Sequence, residues 1–388
     1  MNSPHPLSDR SQLPGIGTSK PGEIATDFGR SAAIRLTLRD WLVVGVVVGL
    51  IFLFAPRFGG RWEQIPVDLD SRIPYADSED YWSFRQRLRE IVAAERIPIF
   101  GDSVIWGDYV LAADALSSCL NRELGTPRFS NAGINGAHPL ALEGLVDDYA
   151  CDAHDRQVIL HCNLLWMSSP DRDLQVDKDI PINHARLIPQ FQPRIPAYRA
   201  SFAQRLGNVI DRSVPFFDYV THLRTRYFDG QDLERWSLKH PYADPLAQFR
   251  VRTVEPEELR HQLIPWTEQG IQPQDLPWIE LSTSLQWQAW RQTVMKLKSR
   301  RNRVFVLVGP LNSHLLTPGS AQRFHRLQQE AISWLSAEDI SHLAPATLPS
   351  SEYGDASHPL SAGYQRLAQT LAADPAFREW FESDSTAR

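Results

Sequence analysis

A serine near the start of the folded part of this chain has two partners near its end. The run Ile97-Pro98-Ile99-Phe100-Gly101-Asp102-Ser103-Val104 reads as a buried strand entering a tight turn. Far downstream, Tyr353-Gly354-Asp355-Ala356-Ser357-His358-Pro359 sets an aspartate three residues before a histidine. These are the residue types of an acyl-transfer site. A serine hydroxyl is a poor nucleophile near neutral pH until an imidazole takes its proton, and a carboxylate holds that imidazole in the useful tautomer. Ser103 is then the nucleophile, His358 the general base and later the general acid, and Asp355 the orienting group. Charge that develops in the transition state needs fixed donors. The candidates are the backbone N–H of Ser103, the backbone N–H of Gly133 in Ser130-Asn131-Ala132-Gly133-Ile134-Asn135-Gly136, and the side-chain amide of Asn163 after Val158-Ile159-Leu160-His161-Cys162. Gly133 suits a close backbone approach, which tolerates no side chain. Asp102 reads as a carboxylate that bonds the turn backbone.

Each residue has an ordinary alternative: a helix-capping serine, a surface Asp–His pair, a turn glycine, a strand-end asparagine. What separates them from the ordinary is four blocks in one order. Gly101-Asp102-Ser103, Asn131-Ala132-Gly133, Asn163 and Asp355-Ala356-Ser357-His358-Pro359 together resemble the SGNH (GDSL-type) hydrolase superfamily. The tail from Asp355 to Tyr364, Asp-x-x-His-Pro-x-x-x-Gly-Tyr, is the most specific piece. The third block departs from the family, with His161 where a glycine is usual and Leu164 where an aspartate is usual. The resemblance implies a serine-dependent esterase or O-acyltransferase working on O-acyl groups, acetyl above all, through an acyl-enzyme. Anchored members of this kind act on carbohydrate or cell-envelope substrates, some beside a membrane-bound acyltransferase partner. A catalytically silent binding or scaffold module in an envelope polysaccharide assembly is the alternative, because a fold does not fix a function.

The elements that must position these residues are legible as periodicity. Tyr81, Phe84, Leu88, Ile91 and Val92 fall on one face of a helix starting near residue 77. Further helices are expected at about 109–124, 140–150, 321–335 and 361–373, the last with Tyr364, Leu367, Ala368 and Leu371 inward. Continuous apolar strands are expected up to Gly101, before Asn131, over 157–165 and over 303–309. Strands that are apolar throughout and separated by helices indicate a parallel sheet covered on both faces. The expected class is α/β, a three-layer α/β/α flavodoxin-like sheet, and Ser103, Gly133 and Asn163 fall at the carboxyl ends of its strands, where such folds bind ligands. Residues 167–285 interrupt the alternation and read as an insertion forming a cap or side lobe. Its arginines and aromatics could shape an acceptor groove or simply close a small core of its own.

With 388 residues, 43% of them hydrophobic, the chain can hold one large domain or two small ones. A net charge of −6 argues against nucleic acid as a partner. Cys119, Cys151 and Cys162 form no zinc or disulfide pattern, and His138 and His161 have no metal-ligand spacing, so neither metal nor cofactor is expected. Residues 1–40 read as a disordered cytoplasmic tail, 41–56 as a charge-free single-pass membrane anchor, 57–76 as a linker and 77–388 as the catalytic domain. A cleaved signal peptide and a buried core helix are the alternatives for 41–56. The long preceding tail disfavours the first, and the Val-rich, charge-free composition disfavours the second. Lys20, Arg30, Arg35 and Arg39 before the segment slightly outnumber Arg57, Arg61 and Arg72 after it, which puts the catalytic domain outside the cytoplasm.

Overall fold

The computed structural model describes residues 37–62, 72–249 and 259–383. The tail up to residue 36, residues 63–71 of the expected linker and residues 250–258 of the expected insertion lie outside the described residues. The chain divides into two compact units, 1–51 and 52–388.

An apolar helix α1 runs Leu38–Trp62. Thr37 and Asp40 close its start through mutual hydrogen bonds, Thr37 N–H donating to the Asp40 carboxylate at 2.8 Å. The stretch Leu38–Gly59 has 22 residues, a mean hydropathy of 2.2 and no buried side chains, and is long and apolar enough to cross a membrane. It is longer than the expected anchor at 41–56. The first six residues of the expected linker are therefore helical: Pro56 lies within the helix, and Arg57 donates to the Leu53 carbonyl instead of interrupting it.

The larger unit is built on five parallel strands: β1 Ile97–Gly101, β2 Phe129–Gly133, β3 Gln157–Cys162, β4 Arg303–Val308 and β5 Ser341–Leu343, in the order β2-β1-β3-β4-β5. Alternate strand residues feed two apolar clusters. Phe100, Leu160 and Val306 join helices α2 (Tyr81–Ala93), α5 (Pro139–Tyr149), α9 (Leu285–Ser299) and α10 (Pro318–Ala337). Ile99, Ile159 and Phe305 join α4 (Leu116–Glu123), α11 (Ser361–Ala373) and α12 (Pro375–Glu382). Helices thus cover both faces, and the chain is α/β. The connections leave β1 toward β2 and return past it to β3, so the carboxyl end of β1 sits where the winding direction reverses.

Two expected elements are broken differently. The helix expected at 109–124 is a short α3 (Ser103–Trp106), a loop and then α4. Gly107, at φ +89°, ends α3, and the Arg72 guanidinium takes the freed carbonyls, donating to Trp106 O at 2.9 Å and Val110 O at 2.7 Å as well as to Gly107 O. The strand expected at 157–165 stops at Cys162, because the Asn163 side chain accepts from Leu165 N–H and opens a 3-10 turn over Leu164–Met167.

The expected insertion holds helices α6 (Phe202–Ser213), α7 (Pro215–Tyr227) and α8 (Leu233–Lys239), with the expected break at Pro215. It does not close a separate core. Leu174, Leu187, Ile188, Ile195 and Trp278 enter the cluster under α2, α5 and α9. Buried Asp173 ties the segment to the start of α9 by accepting the Leu285 and Gln286 N–H groups at 3.0 and 3.1 Å and the Ser284 hydroxyl.

Candidate active site

Strand β1 delivers Gly101, and Asp102 caps the helix that begins at Ser103, its carboxylate accepting the Val104 N–H at 3.0 Å. This sharp strand-to-helix turn presents the Ser103 hydroxyl at the sheet's carboxyl edge. There His358 Nε2 lies 2.7 Å from Ser103 Oγ. On the other side of the ring, Nδ1 lies 2.8 Å from both carboxylate oxygens of Asp355. Two N–H groups, Ser357 and His358, donate to Asp355 Oδ1 at 2.9 Å and fix the carboxylate. The three residues expected to act together are therefore in one hydrogen-bonded row.

The loop bearing Asp355 and His358 is itself pinned. Tyr353 pairs with Pro359 across an isolated bridge, and Gly354 N–H donates to His358 O at 2.9 Å. Asn312 donates from its side chain to Asp355 O at 3.0 Å and from its backbone to Ala356 O at 2.9 Å. Tyr364, which closes the Asp355-to-Tyr364 motif, donates its hydroxyl to Val104 O at 2.5 Å and so ties α11 to the helix that begins at Ser103.

Electrostatics follow from this pairing. Burial alone would lower the His358 pKa, but the facing Asp355 carboxylate outweighs it and raises the imidazole above its ordinary value. Burial likewise works against ionised Asp355, yet His358 and the two backbone donors hold its carboxyl below the ordinary range.

The expected oxyanion donors divide. Gly133 N–H is committed to Asn131 Oδ1 at 3.0 Å, so its assignment as an oxyanion donor is corrected. The glycine is needed for another reason: a Cβ there would stand 2.5 Å from Trp106 N, where β2 runs against α3. Asn163 Nδ2 donates to Asp102 Oδ2 at 2.7 Å, which orients the amide and leaves its second N–H for another acceptor. No acceptor among the described residues takes the Ser103 N–H or the N–H of Gly136, which sits at φ +75° in the loop after β2. Gly136 was the missed candidate; the Gly-x-x-Gly spacing of Gly133 and Gly136 was the signal.

Asp102 does more than cap a turn. Besides Val104 and Asn163, it accepts Trp166 Nε1–H at 2.9 Å and faces His161 Nδ1 at 3.2 Å. Burial would raise its pKa, but the opposing His161, Asn163 and Trp166 contacts hold it well below the usual carboxylate range. His161 thus serves a buried carboxylate adjacent to Ser103.

Another group could not be read from the sequence. The Tyr109 ring stacks on His358 at 5.5 Å and, more closely, on His261 at 4.5 Å. His261 and Arg260 both bind Asp108, and Asn135 adds a bond to it at 2.7 Å. A stretch of the expected insertion therefore reaches the rim of the site. Gly354 permits this, since a Cβ there would lie 2.4 Å from the Tyr109 ring. Among the described residues, no His, Cys, Asp and Glu group is arranged to hold a metal ion.

No family model matches the chain, and no curated protein matches it.

Proposed function

We propose that this chain is a serine-dependent esterase or O-acyltransferase, with Ser103 as nucleophile, His358 as base and acid, and Asp355 as the group that orients His358. The observation carrying this reading is the continuous row from Ser103 Oγ through His358 to Asp355, with contacts of 2.7 and 2.8 Å. In the first half-reaction Ser103 Oγ bonds to the acyl carbon as its proton moves to His358 Nε2, and His358 returns that proton to the leaving alcohol. Water or an acceptor hydroxyl then attacks the acyl-enzyme with His358 again as base. The Ser103 N–H, the Gly136 N–H and the second Asn163 amide hydrogen are the proposed donors to the oxyanion.

The strand order 2-1-3-4-5 with helices on both faces supports reading the fold as three-layer and flavodoxin-like. Acetyl esters of carbohydrate or cell-envelope material are the proposed substrates, on the strength of the sequence resemblance. A membrane-bound acyltransferase is the proposed partner if acyl groups are received rather than hydrolysed. The apolar helix supports a single-pass anchor, and the slight excess of basic residues before it is the ground for proposing the catalytic unit outside the cytoplasm.

The test is labelling of the full-length chain in detergent with a fluorophosphonate, alongside turnover of a small acetyl ester. Labelling that Ser103→Ala abolishes and His358→Ala slows by orders of magnitude is the expected result. Equal labelling of wild type and Ser103→Ala, with no turnover, would leave the chain a binding module. Product formed only when a polysaccharide acceptor is added would assign transfer over hydrolysis.

A further inference from the structure

Helix α6 carries an apolar row that nothing among the described residues covers. Phe202, Leu206 and Ile210 recur every fourth residue, so they share one face, and they are 70%, 42% and 38% exposed. Phe191 meets Phe202 with ring centroids 5.8 Å apart, and Phe217 in the first turn of α7 is 37% exposed. Single exposed apolar residues are normal on a protein surface, but a contiguous row of aromatic and aliphatic side chains marks a contact.

This row is held outward by structure on the other side of the helix. Asn208 donates to Gln190 Oε1 and to the Tyr198 hydroxyl at 3.0 Å, and Arg205 donates to Ala200 O at 3.0 Å and Tyr198 O at 2.6 Å. Arg212 pairs with Asp148 at 3.0 Å. Ser201 and Gln204 form a capping box that secures the N-terminus. The helix is thus fixed to the domain by its polar side, with its apolar side facing away.

Contacts within the larger unit name the occupant. Phe52 belongs to the apolar stretch Leu38–Gly59, and its ring stacks on Phe216 at 4.6 Å and meets Phe217 edge-on at 5.8 Å. Gly59, the last residue of that stretch, lies so close to Tyr219 that a Cβ would come within 2.4 Å of its ring. With that stretch crossing a bilayer, which is the proposed anchor, side chains that touch Phe52 would lie at bilayer depth. We propose that the α6–α7 hairpin is a lipid-docking surface, with Phe202, Leu206, Ile210 and Phe217 seated in the boundary between headgroups and acyl chains. An amphipathic helix lying in that plane buries its apolar face by about 5–10 Å. The inference stands on these contacts and does not depend on the chemistry at Ser103.

The test uses the full-length chain in phosphatidylcholine vesicles, on a Cys151→Ser background, because Cys119 and Cys162 are buried. A bimane label is placed at Leu206→Cys or Ile210→Cys, and at Gln329→Cys on α10 as an exposed control. Both α6 positions are exposed, and thermal unfolding matched to the parent checks that the variants fold. Expected are quenching by shallow doxyl lipids several-fold stronger at 206 and 210 than at 329, and iodide quenching several-fold weaker. Labels at 206 and 210 as open to iodide as the control would overturn the proposal. Shielding from both quenchers would also overturn it, assigning the row to a protein partner or a second copy. A full-length chain that fails to float with the vesicles overturns it as well.

Discussion

The Tyr109 ring lies against the His358 imidazole with centroids 5.5 Å apart and planes 29° from parallel. It restricts the tilt of the imidazole from the face it stacks on. Tyr109→Leu is expected to lower kcat/KM by about two- to tenfold, the worth of one aromatic pair, with Tyr109→Phe nearly restoring it. Steady-state kinetics of the two variants check this, and equal loss in both would assign the effect to the hydroxyl instead.

Replacing members of the hydrogen-bonded row has unequal expected costs. Ser103→Ala and His358→Ala should each lower kcat by roughly 10⁴-fold or more, and the double variant little further, because residues that act as a unit are not additive. Asp355→Asn should cost on the order of 10⁴ through the wrong tautomer. Ester turnover under matched folding, judged by circular dichroism, is the measurement.

The pH profile follows from the raised His358 pKa. Only neutral His358 accepts the serine proton, so kcat/KM should rise with pH with a midpoint above the ordinary histidine value of about 6.5. Residual activity of Asp355→Asn should show that midpoint at lower pH, because the charge that favours the imidazolium is gone. For stability the signs are opposite. The His358 contribution is full below the unfolded-state value and fades as pH rises through the folded one. The Asp355 contribution is full above its unfolded-state value of about 3.9 and fades as pH falls through its lowered folded value. Thermal unfolding across pH reads both.

Asp102→Ala should destabilise the fold, since it strands Asn163 Nδ2, Trp166 Nε1 and His161 Nδ1 in a buried place. A loss of roughly 3–5 kcal/mol is expected in denaturant unfolding. Asn163→Ala should instead act on rate, lowering kcat by about 10²–10³ with KM little changed, as for loss of one oxyanion donor. Similar losses in kcat and stability for both variants would remove the distinction.

The row of Ser103, His358 and Asp355 was legible because each residue sits in a short motif whose local geometry is set by its neighbours. Strands apolar on every residue revealed the doubly covered sheet for the same reason. The proposed oxyanion donors were only half legible. Whether a glycine N–H is open depends on the side chain two residues before it, and Asn131 closes Gly133. The broken helix after Ser103 was not legible, because the group that takes its loose carbonyls is Arg72, more than thirty residues upstream. The Tyr109–His261 stack also joins residues whose closeness no spacing announces.

The hydroxyl of Ser103 and the ring it bonds are 255 residues apart in the chain. At about 5–20 residues per second, a ribosome finishes the histidine on the order of ten to fifty seconds after the serine. Throughout that interval the nascent polypeptide carries the Ser103 hydroxyl without the imidazole it bonds in the folded chain. Tyr364 and the rest of α11 must also emerge before the elbow bearing the serine is braced from behind. Premature termination before Tyr364 therefore leaves every upstream motif intact and that brace missing.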